Sequence, residues 1–309
     1  MTKKRPWATN PGAGSWIAPG SRESALEFHR SMPGYAATPL IEVPALAKLL
    51  GHGSVWVKDE SNRFELPAFK VLGASWAVNR ALGPARTFAE LAALVSGRQL
   101  TLVTATDGNH GRALAYLARA LGLRSRVYVP AGLPEAPVQA IRDEGASVID
   151  TGLPYDDAVQ AAAVSVRDGD VLIQDTAWPG YEEVPRWIVA GYSTLFAEID
   201  VQHPAAIGLV VVPTGVGSLL QSAIEHYRAP GRRTSVLAVE PVTAWPAIHS
   251  GLDAAIAVTD DETRAAQSLL HTHNIPAGPC GAATLAALQA TDSRPSPDAV
   301  VLINTEGVI

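Results

Sequence analysis

Short continuous apolar runs alternate along this chain with longer stretches whose apolar residues recur at helical spacing. The runs at 55–58, 100–105, 126–129, 147–150, 171–174, 207–212, 235–239 and 300–304 predict strands. Helical spacing predicts helices over 71–82, 112–121, 138–144, 156–167, 185–199 and 217–227. Gly83-Pro84 stops the first of these helices, and Gly122 is placed to end the second. Residues 1–36, rich in Gly, Pro and Ser, read as an irregular arm. Strands that are apolar throughout and alternate with helices predict an α/β fold, with mostly parallel sheets covered on both faces. About ten strands exceed what one compact open sheet usually holds, so two sheets are expected. No internal repeat or low-complexity tract interrupts the pattern.

Composition narrows the picture. The chain has 309 residues, 47% hydrophobic and 17% charged, which favours a well-buried core in one large or two moderate domains. Its net charge of −6 gives no basic excess for nucleic acid or an anionic membrane. An anionic cofactor would have to be held by local dipoles. A single cysteine, Cys280, excludes an internal disulfide and a zinc-ribbon site, and the thiol reads as a small buried hydrophobe. His203, His226, His249, His271 and His273 form no ligand-like spacing, so no metal is expected. The opening Met-Thr-Lys-Lys-Arg is not followed by the apolar core of a signal peptide, and no apolar run is long enough to span a bilayer. The expectation is a soluble cytoplasmic protein.

Candidate chemistry gathers where predicted strands end. Lys70 opens the apolar helical stretch 71–82. A lysine in water is protonated and a poor nucleophile; an apolar setting is expected to lower its pKa and make a Schiff base practical. Thr106-Asp107-Gly108-Asn109-His110 lies between a strand and a helix, where successive backbone N–H groups attract an anion such as a carboxylate. There Asn109 offers a donor to a phenolate oxygen, and Asp107 can accept or donate a proton. Thr214-Gly215-Val216-Gly217-Ser218 follows another strand, and its glycines let backbone N–H groups approach a phosphate. It lacks the Gly-Lys-Ser/Thr of a Walker loop and the third glycine and later acid of a dinucleotide fingerprint. Asp175, in Gln174-Asp175-Thr176-Ala177-Trp178, and Thr305, in Asn304-Thr305-Glu306-Gly307, also follow strands, where open α/β sheets bind ligands. Taken alone, the turn at Asp107 reads equally well as a capped strand end with nothing bound, and the turns at 214–218 and Asp175 read better as a tight turn and an aromatic-anchored loop; Thr305 reads at least as well as a polar strand end. Together, the amine, the anion-binding turn and the Gly-x-Gly turn suggest imine chemistry on a phosphorylated cofactor, pyridoxal 5′-phosphate.

These stretches, with Val57-Lys58-Asp59-Glu60-Ser61-Asn62-Arg63, Pro67-Ala68-Phe69-Lys70, Trp187-Ile188 and Gly191-Tyr192, resemble the fold type II (tryptophan synthase β-like) pyridoxal-phosphate enzymes. More closely they are similar to the diaminopropionate ammonia-lyases. The pairing of Asp-Gly-Asn-His with Gln-Asp-Thr-Ala-Trp is the specific part, since serine and threonine dehydratases usually have a small or polar residue where Asp107 stands.

The resemblance implies two domains with mostly parallel sheets flanked by helices. A large cofactor-binding domain would comprise 1–75 and 185–309, and a smaller one 76–184. It implies a homodimer acting on a small amino acid, with no nucleic-acid or membrane partner. Lys70 would form the Schiff base and Asn109 would bond the cofactor 3′ oxygen. Thr214, Gly215, Val216, Gly217 and Ser218 would cradle the phosphate, and Thr305 would face the pyridine nitrogen. Amides of Thr106, Asp107, Gly108, Asn109 and His110 would hold the substrate carboxylate. Asp107 and Asp175 would be the acid-base residues, one for each face of Cα, so that both D and L 2,3-diaminopropionate give pyruvate and ammonia.

Two departures bear on this reading. A pocket segment the family carries after the Val239-Glu240-Pro241 stretch is missing beyond Ala244, and Cys280 stands where the family commonly has serine. The alternatives are a serine/threonine dehydratase-like deaminase, a pyridoxal-phosphate-binding protein without turnover, and a plain nucleotide-binding module.

Overall fold

The computed structural model describes residues 8–18, 24–203, 205–232, 234–239, 250–291 and 298–308. The chain forms two compact units. One comprises the described parts of Met1–Arg22, Ala37–Phe69 and Leu195–Val308; the other comprises those of Glu23–Ala36 and Lys70–Thr194. The second unit thus takes in 24–36, 70–75 and 185–194 besides 76–184, and its limit at Thr194 falls inside the helix Glu183–Gln202. The strands are β1 Ala8–Thr9, β2 Leu40–Glu42, β3 Ser54–Asp59, β4 Thr101–Ala105, β5 Arg124–Val129, β6 Ser147–Asp150, β7 Asp170–Leu172, β8 Ile207–Pro213, β9 Ser235–Val239, β10 Ala254–Ile256 and β11 Ala299–Asn304. No helix among the described residues is long and apolar enough to cross a membrane.

The first unit holds a seven-stranded sheet in the order β1-β10-β9-β8-β11-β3-β2. Its five inner strands are mutually parallel, and short antiparallel strands close both edges. β11 is buried along its whole length, as expected of a strand covered on both faces. Helix Pro279–Ala290 packs Leu285 and Leu288 into a core shared with Val211, Leu237, Val300 and Leu302.

A buried ionic cluster lies in the same unit. Arg63 grips both oxygens of Glu198 at 2.7 and 2.8 Å and both oxygens of Glu60 at 2.9 and 2.7 Å. Lys58, reaching from β3, donates to Glu198 at 2.7 Å. Two cations and two anions therefore neutralise one another out of water, and burial of so many charges is tolerated only because each is paired.

The second unit is built on a parallel four-stranded sheet, β6-β5-β4-β7. The helices Lys70–Leu82 and Glu183–Gln202 meet here through glycines. A Cβ on Gly191 would lie 2.5 Å from the Leu72 carbonyl oxygen, so the backbones approach as closely as they do because that side chain is missing. Helix Leu26–Arg30 also belongs to this unit, which corrects the expectation of an irregular arm over 1–36. Its buried His29 donates from Nε2 to the Leu72 carbonyl at 3.0 Å and accepts at Nδ1 from the Thr194 hydroxyl at 2.7 Å. Phe28 packs edge-on to Trp76 beside it.

Candidate functional site

In the second unit, three of the sequence-predicted residues converge at strand ends. Lys70 is the first residue of its helix, and its Nζ lies 2.9 Å from Oδ2 of Asp175, just beyond β7. Asp175 is buried, whereas the Lys70 side chain keeps 24% of its surface exposed. Asp107, exposed at the end of β4, adds its charge to the surroundings of Lys70.

The charge state of Lys70 differs from the expectation. Burial does pull the amine down, but Asp175, with Tyr192 and Asp107, outweighs it and holds Lys70 above the ordinary lysine value. Burial likewise pushes Asp175 up, and Lys70 and His110 overcome that and bring the carboxyl down to about 2. The free amine is therefore an ammonium locked to a carboxylate. An apolar wall alone would have released its proton.

The turn after β4 depends on Gly108, whose φ of 151° is open to glycine and disfavoured for other residues. The Thr106 hydroxyl accepts from the backbone N–H of Gly108 at 3.0 Å and of Gly111 at 3.1 Å, and the Thr106 N–H bonds the Tyr128 carbonyl. Those donors are engaged within the turn. Asn109 opens the helix Asn109–Ala120, half-buried, and Gly108 gives that helix no side-chain cap. Buried His110 donates from Nε2 to the Ile173 carbonyl at 2.8 Å. Burial lowers its pKa, so the ring is neutral and Nδ1 is an acceptor, without a partner among the described residues.

The remaining predicted residues lie in the first unit, at the carboxyl ends of the adjacent parallel strands β8 and β11. Thr214 to Ser218 turn from β8 into helix Ser218–Tyr227. Gly217 takes φ 94° at the N-cap, so no side chain caps the positive end of the helix dipole. Nothing lies within 4 Å of where a Cβ on Gly215 would stand. Thr305, just past β11, is buried, and its Oγ1 has no hydrogen-bond partner among the described residues. Beside it Asn304 donates to Asp59 at 2.8 Å.

Sequence reasoning missed the tyrosines around the lysine. Tyr192 is buried near Lys70 and Asp175, with its pKa pushed up by burial. Tyr155 is pushed up to about 12 by burial and by the Asp175 charge. Tyr192 stood in a matched stretch without a role; Tyr155 carried no signal. Cys280 is exposed, not the buried hydrophobe expected, because it sits in the first turn of its helix.

A model of the family described as "Pyridoxal-phosphate dependent enzyme" matches residues 32–244. The chain belongs to this family. It is 40% identical over 234 residues to diaminopropionate ammonia-lyase of Salmonella typhimurium, an alignment covering 70% of this chain and 58% of that protein. The chain thus matches less than two thirds of that relative's length. Over 99% of this chain and 95% of the other, it superposes with a TM-score of 0.88 and 27% identity on the Escherichia coli diaminopropionate ammonia lyase, solved in complex with an aminoacrylate-PLP azomethine reaction intermediate. Threonine deaminase isoform 2 of Solanum lycopersicum shares the fold alone, at a TM-score of 0.75 and 19% identity over 100% of this chain and 96% of that one. The expected tryptophan synthase β-like α/β class is therefore the fold of this chain.

The residues present fit the cofactor that gives the family its description. A buried hydroxyl without a protein partner at Thr305 suits a ring nitrogen, and a Gly-x-Gly helix N-terminus with open space beside it suits a phosphate. In the second unit, Lys70 is an amine able to form a Schiff base. The shortened segment after Ala244 lies at 240–249, outside the described residues.

Proposed function

We propose that this chain is a pyridoxal-phosphate-dependent ammonia-lyase that converts D or L 2,3-diaminopropionate, with one water, into pyruvate and two molecules of ammonia. The observation that carries the reading is the pair of carboxylates on Lys70: Asp175 in contact and Asp107 at the neighbouring strand end. A substrate whose leaving group is an amine must receive a proton as that group departs, and proton abstraction at Cα needs a base. Two carboxylates near the amine provide both functions, and a dehydratase-like site with a small residue at position 107 would not.

When bound, pyridoxal phosphate supplies the electron sink that makes the Cα proton acidic. The chain supplies everything else. Lys70 would hold the cofactor covalently, and its free amine is paired with Asp175 as an ammonium. Backbone N–H groups of Gly215, Val216, Gly217 and Ser218, with the helix dipole, would hold the phosphate, while Thr214, whose own N–H donates to the Val239 carbonyl at 3.0 Å, would anchor the turn that leads to it. Thr305 Oγ1, buried without a partner among the described residues, would serve the ring nitrogen, and Asn109 would donate to the 3′ oxygen. In the turn from Thr106 to His110 the N–H groups of Thr106 and Gly108 are engaged inside the protein, and those of Asp107, Asn109 and His110 would orient the substrate carboxylate. Asp175 takes the Cα proton on one face at Oδ2, and Asp107 on the other. The similarity to the Salmonella typhimurium lyase supports the choice of substrate. A homodimer completes the proposal on the strength of the same family resemblance, with the cytoplasm as its compartment from the sequence reading alone, and sedimentation analysis tests the oligomeric state.

The test is product stoichiometry with cofactor-loaded protein. Two ammonia per pyruvate from both diaminopropionate enantiomers, with little product from serine or threonine, is expected. Faster turnover of serine or threonine would make the chain a dehydratase-like deaminase. A cofactor absorption band that amino acids leave unchanged would make it a binding protein without turnover.

A further inference from the structure

Gln174 lies between β7 and Asp175 with its side chain fully buried and every polar atom engaged. Its Oε1 accepts from the backbone N–H of Ala105 at 2.9 Å and from the Thr104 hydroxyl at 2.9 Å. A backbone N–H can only donate, so the carbonyl end of the amide must face β4 and the NH2 must face the other way. That NH2 lies 3.2 Å from Oδ1 of Asp175 and 3.4 Å from the Tyr155 hydroxyl. The backbone N–H of Gln174 donates to the Tyr181 hydroxyl at 3.0 Å, and that hydroxyl donates to the Leu172 carbonyl at 2.8 Å. Asp175 therefore has one oxygen held by a neutral donor whose orientation is dictated from β4. Its other oxygen is left facing Lys70.

We propose that Gln174 is the positioning residue of the reaction: it fixes the carboxylate plane of Asp175 so that Oδ2 alone exchanges protons with Lys70 and with substrate. This rests on the acid-base reading of Asp175. The groups around Asp175 come from every neighbouring element. They are Lys70 from its helix, Asp107 from the turn after β4, His110 from helix Asn109–Ala120, Tyr155 from helix Tyr155–Val164, Tyr181 from the loop that follows β7, and Tyr192 from helix Glu183–Gln202. Lys70 and His110 favour the ionised carboxylate, and the Gln174 NH2, 3.2 Å from Oδ1, is the neutral donor that holds it in one orientation.

The experiment uses Gln174→Met, which keeps the length and bulk of the side chain without donor or charge. It is made alone and with Asp175→Asn. In cofactor-free protein, melting temperature is followed from neutral to acidic pH. Positioning predicts that Gln174→Met shifts the acid midpoint upward and that this shift vanishes in the Asp175→Asn background. In loaded enzyme, the enantiomer whose turnover depends on Asp175 should lose about tenfold in kcat at unchanged KM, while the other enantiomer is little affected. A uniform fall in melting temperature that adds to that of Asp175→Asn, or equal slowing of both enantiomers, would overturn the proposal. If wild-type protein turns over neither enantiomer, the proposed function fails, and the cofactor-free cycle alone decides whether Gln174 governs Asp175.

Discussion

The Lys70 ammonium stands 2.9 Å from Oδ2 of Asp175, and this carboxylate, not the apolar surroundings, sets the charge of the amine. Any chemistry at Lys70 must first move a proton off that pair. Asp175→Asn keeps the shape and removes the counter-charge. In cofactor-free protein, acylation of Lys70 by an activated ester near pH 8, read by peptide mass spectrometry, should then run about tenfold or more faster than in wild type. Equal rates would show that the pair does not control the amine.

The same pair sets a pH window for stability. Asp175 is brought from an ordinary 3.8 to about 2, so its contribution is complete above pH 3.8 and is lost as the pH falls toward 2. Lys70 is raised above 10.5, so its contribution is complete below that pH and is lost as the pH climbs through the higher folded value. Asp175→Asn should therefore cost on the order of 1–2 kcal/mol in the neutral range and almost nothing near pH 2. Thermal melts of cofactor-free protein across that range check it; a loss that is constant with pH would contradict it.

That pairing shows where the sequence stops being readable. β8, β9 and β11 are continuous apolar runs and announce themselves, whereas β1, β2 and β10 have only two or three residues and carry no period. Helix Pro279–Ala290 is Ala-rich and buried on nearly every side, so it has no polar stripe to reveal it. Helices Phe88–Val95 and Asp260–Thr272 were legible in principle, since each opens with a capping box, Thr87 with Glu90 and Thr259 with Glu262. The candidate residues could be found from their turns. The charge of Lys70 could not, because its determining partner is 105 residues away.

The buried cluster in the first unit gives a separate test. Glu198→Ala leaves Lys58 and Arg63 with Glu60 as their one buried counter-charge in the cluster, and the fold should lose about 3–5 kcal/mol. Adding Lys58→Met removes the surplus cation and should recover part of that loss, so the double variant should be more stable than Glu198→Ala alone. Urea unfolding midpoints decide the order. Additive losses would show that the two residues are energetically independent.

The glycines at the Lys70 helix should differ in tolerance. An added Cβ at Gly73 meets the Tyr192 ring at 2.5 Å and Ile188 at 2.7 Å, side chains that can shift. At Gly191 it meets the Leu72 carbonyl at 2.5 Å and the Gly73 Cα at 2.8 Å, so two helices must part. Gly191→Ala should cost about 3 kcal/mol or more and Gly73→Ala about 1–3 kcal/mol. Thermal melts giving the reverse order would show that the helix backbones yield more easily than the packed side chains.

Thr305 separates stability from cofactor binding. Its hydroxyl is buried and makes no hydrogen bond among the described residues, so the fold carries the cost of desolvating it without return. Valine has the same shape and lacks the polar atom. Thr305→Val should therefore leave the cofactor-free protein as stable as wild type, or more so by up to about 1 kcal/mol. If the hydroxyl meets the cofactor ring nitrogen, the same change should weaken pyridoxal phosphate binding about fivefold to tenfold, as measured by equilibrium dialysis. A residue kept for packing would give the opposite pattern, with a lower melting temperature and unchanged cofactor affinity.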